Sequence, residues 1–132
     1  MNFSGRSICP GLALAPALVS ALGISFFGGV DPETGIIVEK NHPLEGLSVA
    51  GKVLVFPSGK GSTVGSYTLY RMKAAGTAPA AILNAECETI TAVGCIISDI
   101  PCVDHIPIQE IHTGDWLKVD ATGGLVEVIS TD

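Results

Sequence analysis

The sequence predicts an α/β domain in which a central parallel strand–helix–strand unit is wrapped at both ends by antiparallel β-structure. Three observations carry this reading. Between Leu47 and Ile106, short apolar runs alternate with two segments of helical periodicity, the grammar of parallel strands joined by right-handed crossovers. From Asp115 to Asp120 polar and apolar residues alternate, and after a turn at Ala121–Gly124 the run Leu125–Ile129 returns as a hairpin. Sixteen glycines and eight prolines in 132 residues cut the chain into pieces too short for long helices.

Taken in order, Ser4–Ile8 and Leu12–Val19 read as strands separated by a Pro10-Gly11 turn, and Ile24–Phe27 as another short apolar strand. Asp31-Pro32-Glu33-Thr34-Gly35 has turn composition and leads to Ile36–Val38, which has strong strand propensity. A further strand lies within Leu47–Phe56. Ser62–Ala75 reads as a helix with a preferred N-cap residue at its start and Gly76 at the C′ position. Pro79–Leu83 is a buried strand. In Thr89–Ser98, Ile90, Val93, Gly94 and Ile97 recur at helical spacing, with Pro101 as the stop before a strand at Val103–Ile106. No repeat and no linker appears, so residues 1–132 form one domain, long enough to bury roughly two-thirds of its unfolded surface.

Bulk properties exclude several classes of function. A net charge of −6, with no Lys or Arg between Lys73 and Lys118, opposes nucleic-acid binding, which needs clustered cations. The uncharged run from Ser7 to Val30 is broken by Pro10, Gly11, Pro16, Gly23, Gly28 and Gly29, so it reads as buried strands rather than a membrane span or signal segment. Cys9, Cys87, Cys95 and Cys102 lack the dense spacing of secreted scaffolds, which places the chain in a reducing cytoplasm.

The richest segment is Val53-Leu54-Val55-Phe56-Pro57-Ser58-Gly59-Lys60-Gly61-Ser62: an apolar strand, a glycine-rich loop and a helix start. Such a junction aims backbone N–H groups and partial positive charge at one point, where an anion is stabilised. It is no Walker loop, because Lys60 is followed by Gly61 instead of Ser or Thr, so nothing points to nucleotide or Mg²⁺. Lys52 and Lys60 are the cations nearest to it in sequence. Cys87, Cys95, Cys102 and His105 are separated by seven, six and two residues, which fits no usual zinc spacing, and no metal site is expected. Cys95 reads as a small core residue, while His42 and His112 read as surface loop residues. Gly28-Gly29 permits close approach of a ligand or simply forms a bulge, and Asp31 is a site residue or a turn former.

The blocks Gly28–Gly35, His42-Pro43-Leu44-Glu45-Gly46 and Val49–Ser62 resemble the small, stand-alone swivelling subunit of the aconitase X group, an aconitase-like hydro-lyase family. The likeness covers most of residues 5–110. It implies a swivelling β/β/α domain, which agrees with the wrapped α/β reading. It implies a large partner subunit carrying an iron–sulfur cluster on its own cysteines, with no cofactor bound by this chain alone. It also implies that Ser62 is the proton acceptor and that Ser58, Gly59, Lys60 and Gly61 contact substrate. In the two-subunit archaeal members the reaction is dehydration of (R)-5-phosphomevalonate to the trans-anhydro product, a step toward isoprenoids; others in the group act on cis-3-hydroxy-L-proline.

Physical chemistry limits what the loop does alone. A helix N-terminus contributes about 0.3–1 kcal/mol, or ~2 when partly buried, against about 1.4 kcal/mol for each tenfold in acidity. Lys60 adds a similar amount, which is too little to turn a serine into a working base. Further donors or positive charge are expected from the partner, and the isolated chain is expected to be inactive. Whether Lys60 meets a phosphate or a carboxylate stays open, as does a non-catalytic reading in which the chain is an anion-binding or docking module.

Overall fold

The computed structural model describes residues 1–130. Eight strands form one sheet: β1 (Asn2–Ser4), β2 (Arg6–Cys9), β3 (Leu12–Val19), β4 (Val53–Phe56), β5 (Ala81–Asn84), β6 (Cys102–Asp104), β7 (Trp116–Asp120) and β8 (Leu125–Ser130). Their order is β1-β8-β7-β3-β4-β5-β6-β2. Strands β3, β4, β5 and β6 pair in parallel, and every other pairing is antiparallel. The expected central unit with antiparallel wrapping is therefore the architecture found.

The first and last strands of that order, β1 and β2, are consecutive in the chain and separated only by Gly5. The sheet thus closes on itself through one continuous segment, its first half paired with β8 and its second half with β6. Closure needs the chain to pass very near its neighbours: the Gly5 N–H donates to Gly124 O at 2.8 Å, and a Cβ on Gly5 would collide with the Asp104 carbonyl oxygen. The single strand expected at Ser4–Ile8 is this crossing strand, broken in pairing at Gly5.

Two apolar layers follow from the pleat. Val53 and Val55 of β4 point inward with Ala15, Leu83, Leu117 and Val119. Leu54 and Phe56 point outward, where Leu69 and Met72 of helix α2 (Gly65–Ala75) and Cys95 of helix α3 (Thr89–Ser98) cover them. Strands β4 and β5 are buried on both faces, which is why they read as continuous apolar runs. Cys95 is a core residue, as expected.

Several expectations need correction. Ile24–Phe27 is no strand: Ile24 makes one bridge to Gly59, and Phe26–Gly29 forms a single irregular turn, α1, with Gly28 at φ 83°. Ile36–Val38 supplies isolated bridges from Ile36 to Ser48 and from Ile37 to Val30, within a compact 30–52 segment. Leu47–Phe56 is extended in a sheet only from Val53 onward, because Gly46 and Gly51, at φ 86° and 69°, turn the chain before it. The second helix and the terminal hairpin lie where expected. Among the described residues no helix is long and apolar enough to cross a membrane.

Candidate functional site

The loop after β4 leaves the centre of the parallel sheet at its carboxyl end, where ligands gather in open α/β architectures. Phe26 packs edge-on against Phe56, with ring centroids 6.0 Å apart, and so brings Ser25–Gly29 beside the loop. The Lys60 N–H donates to the Ile24 carbonyl at 3.0 Å. Gly61, at φ 91°, runs so close to Ser25 that a Cβ there would strike the serine Oγ. Gly59 has no room for a side chain either, because the Glu88 carboxylate and Thr91 Oγ1 fill the space. Both loop glycines are therefore steric requirements.

Ser62 lies exposed one turn ahead of α2, which starts at Gly65 and not at Ser62. Ser62 caps the turn that precedes that helix: its Oγ accepts the Val64 N–H at 3.2 Å, and its carbonyl accepts the Gly65 N–H at 2.9 Å. An amide hydrogen bond aimed at Oγ stabilises negative charge on that oxygen. The N–H groups of Gly59, Gly61, Ser62 and Thr63 donate to no acceptor among the described residues, while that of Lys60 is taken. These amides are left without an intramolecular acceptor, and the Ser62 residue among them is exposed. Ser58, half-buried at the loop entry, turns its carbonyl toward Gly23, where an added Cβ would come within 2.8 Å of that oxygen.

Ser25, Phe27, Gly28, Gly29, Lys60 and Gly61, with Glu39, line an open depression of about 450 Å³ next to Ser62. The glycine pair flagged in the sequence is part of this wall. Glu39 is a residue that sequence reasoning missed; it pairs with Lys60 across 21 positions at 2.9 Å, and no local pattern announces such a contact. Thr91 was also missed, though its hydroxyl is fully buried against Gly59 with no hydrogen-bond partner among the described residues.

Other candidates fall away from the site. Lys52 is at the opposite end of β4 and donates to the Ser48 carbonyl at 3.3 Å. Asp31 shapes a turn, accepting the Glu33 N–H on its carboxylate and the Gly35 N–H on its carbonyl. His112 is exposed in a loop, as expected. His42 is not on the surface: it is 6% exposed, accepts the Leu44 N–H on Nδ1, and places Nε2 3.0 Å from the Gly23 carbonyl. These bonds define an imidazole that carries its proton on Nε2 and ties the 42–46 turn to the wall of the site.

A second charged group lies where β2 meets β6. Arg6 forks onto Asp104 with contacts of 2.9 and 2.7 Å, and Glu86 and His105 gather around the same carboxylate. Burial pushes the Asp104 carboxyl up, but the Arg6 hydrogen bond, the Cys87 N–H and the Arg6 charge outweigh it and hold it below the usual carboxylate range. Arg6 pairs bidentately with the buried Asp104 carboxylate and ties β2 to β6, a strut for the closing strand.

Comparison with known proteins follows the same outline. Residues 2–128 match the aconitase X swivel domain family. The chain is 53% identical over 131 residues, covering 97% of it and 99% of the relative, to the phosphomevalonate dehydratase small subunit of Methanocella arvoryzae. It is 50% identical to the protein of the same name from Thermococcus kodakarensis, across 98% of this chain and 97% of that one. Its structure superposes on a chain of the holo-form crystal structure of Thermococcus kodakaraensis aconitase X with a TM-score of 0.97 at 49% identity, covering 98% and 99% of the two chains. With a family match over nearly its whole length, the chain belongs to the aconitase X swivel domain family.

Proposed function

We propose that this chain is the small subunit of a phosphomevalonate dehydratase, a hydro-lyase that removes water from (R)-5-phosphomevalonate. The observation that carries the reading is the loop Pro57–Ser62, which offers an exposed Ser62 hydroxyl amid unpartnered amides beside a depression holding Lys60. Relatives of nearly equal length, about half identical in sequence, are named as that small subunit, so a large subunit is the expected partner.

In this mechanism the Ser62 Oγ alkoxide takes the proton from the carbon next to the substrate carboxylate while the hydroxyl on the neighbouring carbon departs with its bonding pair, the two together making up the water lost. The Val64 N–H, already aimed at that oxygen, stabilises the negative charge it carries before the proton is taken. The free amides of Ser62 and Thr63 lie where the adjacent carboxylate gains charge as the carbon–hydrogen bond weakens. Ser62 stands in water in the isolated chain, so docking of the large subunit both excludes solvent and adds the donors that one amide and one helix end fall short of supplying.

The iron–sulfur cluster implied by the family resemblance belongs on this reading to the large subunit. The cysteines here do not fit it. Cys9 is buried, and Cys87 is half-buried against the same core with its Sγ 4.0 Å from that of Cys102. Cys95 and Cys102 are fully buried in the packed core. No step is assigned to a cluster within this chain. The reaction is placed in the cytoplasm, the compartment that the cysteine usage predicts.

The test is reconstitution. The chain is co-purified anaerobically with its large subunit and assayed on (R)-5-phosphomevalonate by phosphorus NMR of the product. Turnover is expected from the complex and from neither chain alone. Turnover by the large subunit alone, or none from a cluster-loaded complex, would overturn the proposal.

A further inference from the structure

The depression beside Ser62 has one cation and one anion in its wall, and they are bound to each other. Lys60 Nζ lies 2.9 Å from Glu39 Oε2, with side chains 48% and 30% exposed. Both ends of this pair are held in place. The Lys60 stem runs alongside Gly23, whose carbonyl is fixed by His42, and its backbone is tied to Ile24. The Glu39 N–H reaches the Gly29 carbonyl at 3.3 Å, and its carboxylate lies over Gly29, where a Cβ would come within 3.3 Å of Oε1. A carboxylate therefore already occupies the ammonium that an arriving anion would seek.

We infer that Lys60 receives the substrate's phosphate and that Glu39 is a built-in competitor for it. The inference rests on the function proposed above for its account of the substrate. The proton removed is next to the carboxylate, so the carboxylate lies at Ser62 and its free amides, and the phosphate, at the far end of the molecule, faces Lys60. A phosphate carries about −1.5 to −2 charge at pH 7 and three strong acceptor oxygens, so it bonds the ammonium and the open Gly61 amide together. Glu39 offers a single charge and is displaced toward the solvent side of the depression, where water screens it. Its presence weakens binding of substrate and of phosphorylated product alike, which keeps the site from holding product after the chemistry.

Two measurements test this with different dependence on the assigned reaction. The first titrates the isolated full-length chain with inorganic phosphate, following backbone amide shifts of residues 58–63. Glu39→Gln is expected to tighten phosphate binding about three- to fivefold, the size an exposed pair allows. Lys60→Met is expected to abolish the response, and Glu39→Gln in the Lys60→Met background to restore nothing. The second measures the complex, where Glu39→Gln is expected to lower KM for the phosphorylated substrate by a similar factor. Glu33→Gln, which removes a remote exposed partner of Arg71, is the charge control and is expected to match wild type. Unchanged or weaker phosphate binding in Glu39→Gln, or tightening that persists without Lys60, would overturn the inference even if the complex turns over. Tightening through Lys60 in a chain whose complex is inactive would uphold the competitor and reject the substrate.

Discussion

At the scale of single residues, the chain spends its few charges on structure. Asp104 is fully buried, yet Arg6 and the Cys87 N–H keep it ionised. Its folded-state pKa is depressed, so its contribution to stability is fully present above the unfolded value near ~3.9 and is lost as pH falls through the lower folded value. Asp104→Asn is expected to lower the melting temperature at pH 7 by about 5 °C or more, with the two proteins converging as pH falls through the lowered folded value. Thermal melts from pH 7 to 2.5 check this; parallel curves would show that the carboxylate charge is not what holds β2. His42 teaches the limit of reading single residues. A histidine before Pro43 in a polar stretch has the composition of a surface loop, and only the fold shows that Gly23, nineteen positions earlier, supplies the acceptor that buries it.

Among elements, what was legible depended on whether their causes were local. Helix α3 was read to the residue because its periodicity, stop and flanking turns are all in the sequence. Its N-cap is Glu88, whose carboxylate accepts the Ile90 and Thr91 N–H groups at 2.7 and 2.9 Å. The same carboxylate packs against Gly59, so the cap of α3 also buttresses the Pro57–Ser62 loop. Glu88→Ala is expected to destabilise the chain by about 1 kcal/mol, the loss of a helix cap. In the complex it is expected to reduce kcat more than the stability loss explains, because Gly59 loses its support. Denaturant melts and steady-state kinetics of one preparation separate these effects. Helix α2 was read three residues too long at its start, since Ser62 caps a turn that precedes the helix proper. Ile24–Phe27 was misread because an apolar run bounded by glycine is equally compatible with a strand and with a turn anchored by one buried aromatic, here Phe26 on Phe56.

For the whole molecule, the wrapped α/β architecture was legible because strand and helix periods alternate, while closure of the sheet was not. Closure joins residues 2–9 to residues 102–104 and 125–127 through one glycine, and no local pattern encodes contacts of that separation. It has a functional consequence. A closed sheet with apolar layers inside and out is a stiff base, and the Ser62 loop rises from its centre on two obligatory glycines. On the proposed function, the chain supplies one half of a site in which Ser62, the unbonded amides of its loop and the paired Lys60 meet a second surface. The most direct measurement of that account is turnover of the anaerobically assembled complex, wild type against Ser62→Ala, with assembly verified by size and loop geometry by amide shifts of residues 58–63. The account predicts that Ser62→Ala assembles normally, retains phosphate binding and loses at least about 10³-fold in kcat, as expected when a positioned base is removed. A complex that assembles with the alanine and turns over within tenfold of wild type would contradict it and move the base to the large subunit.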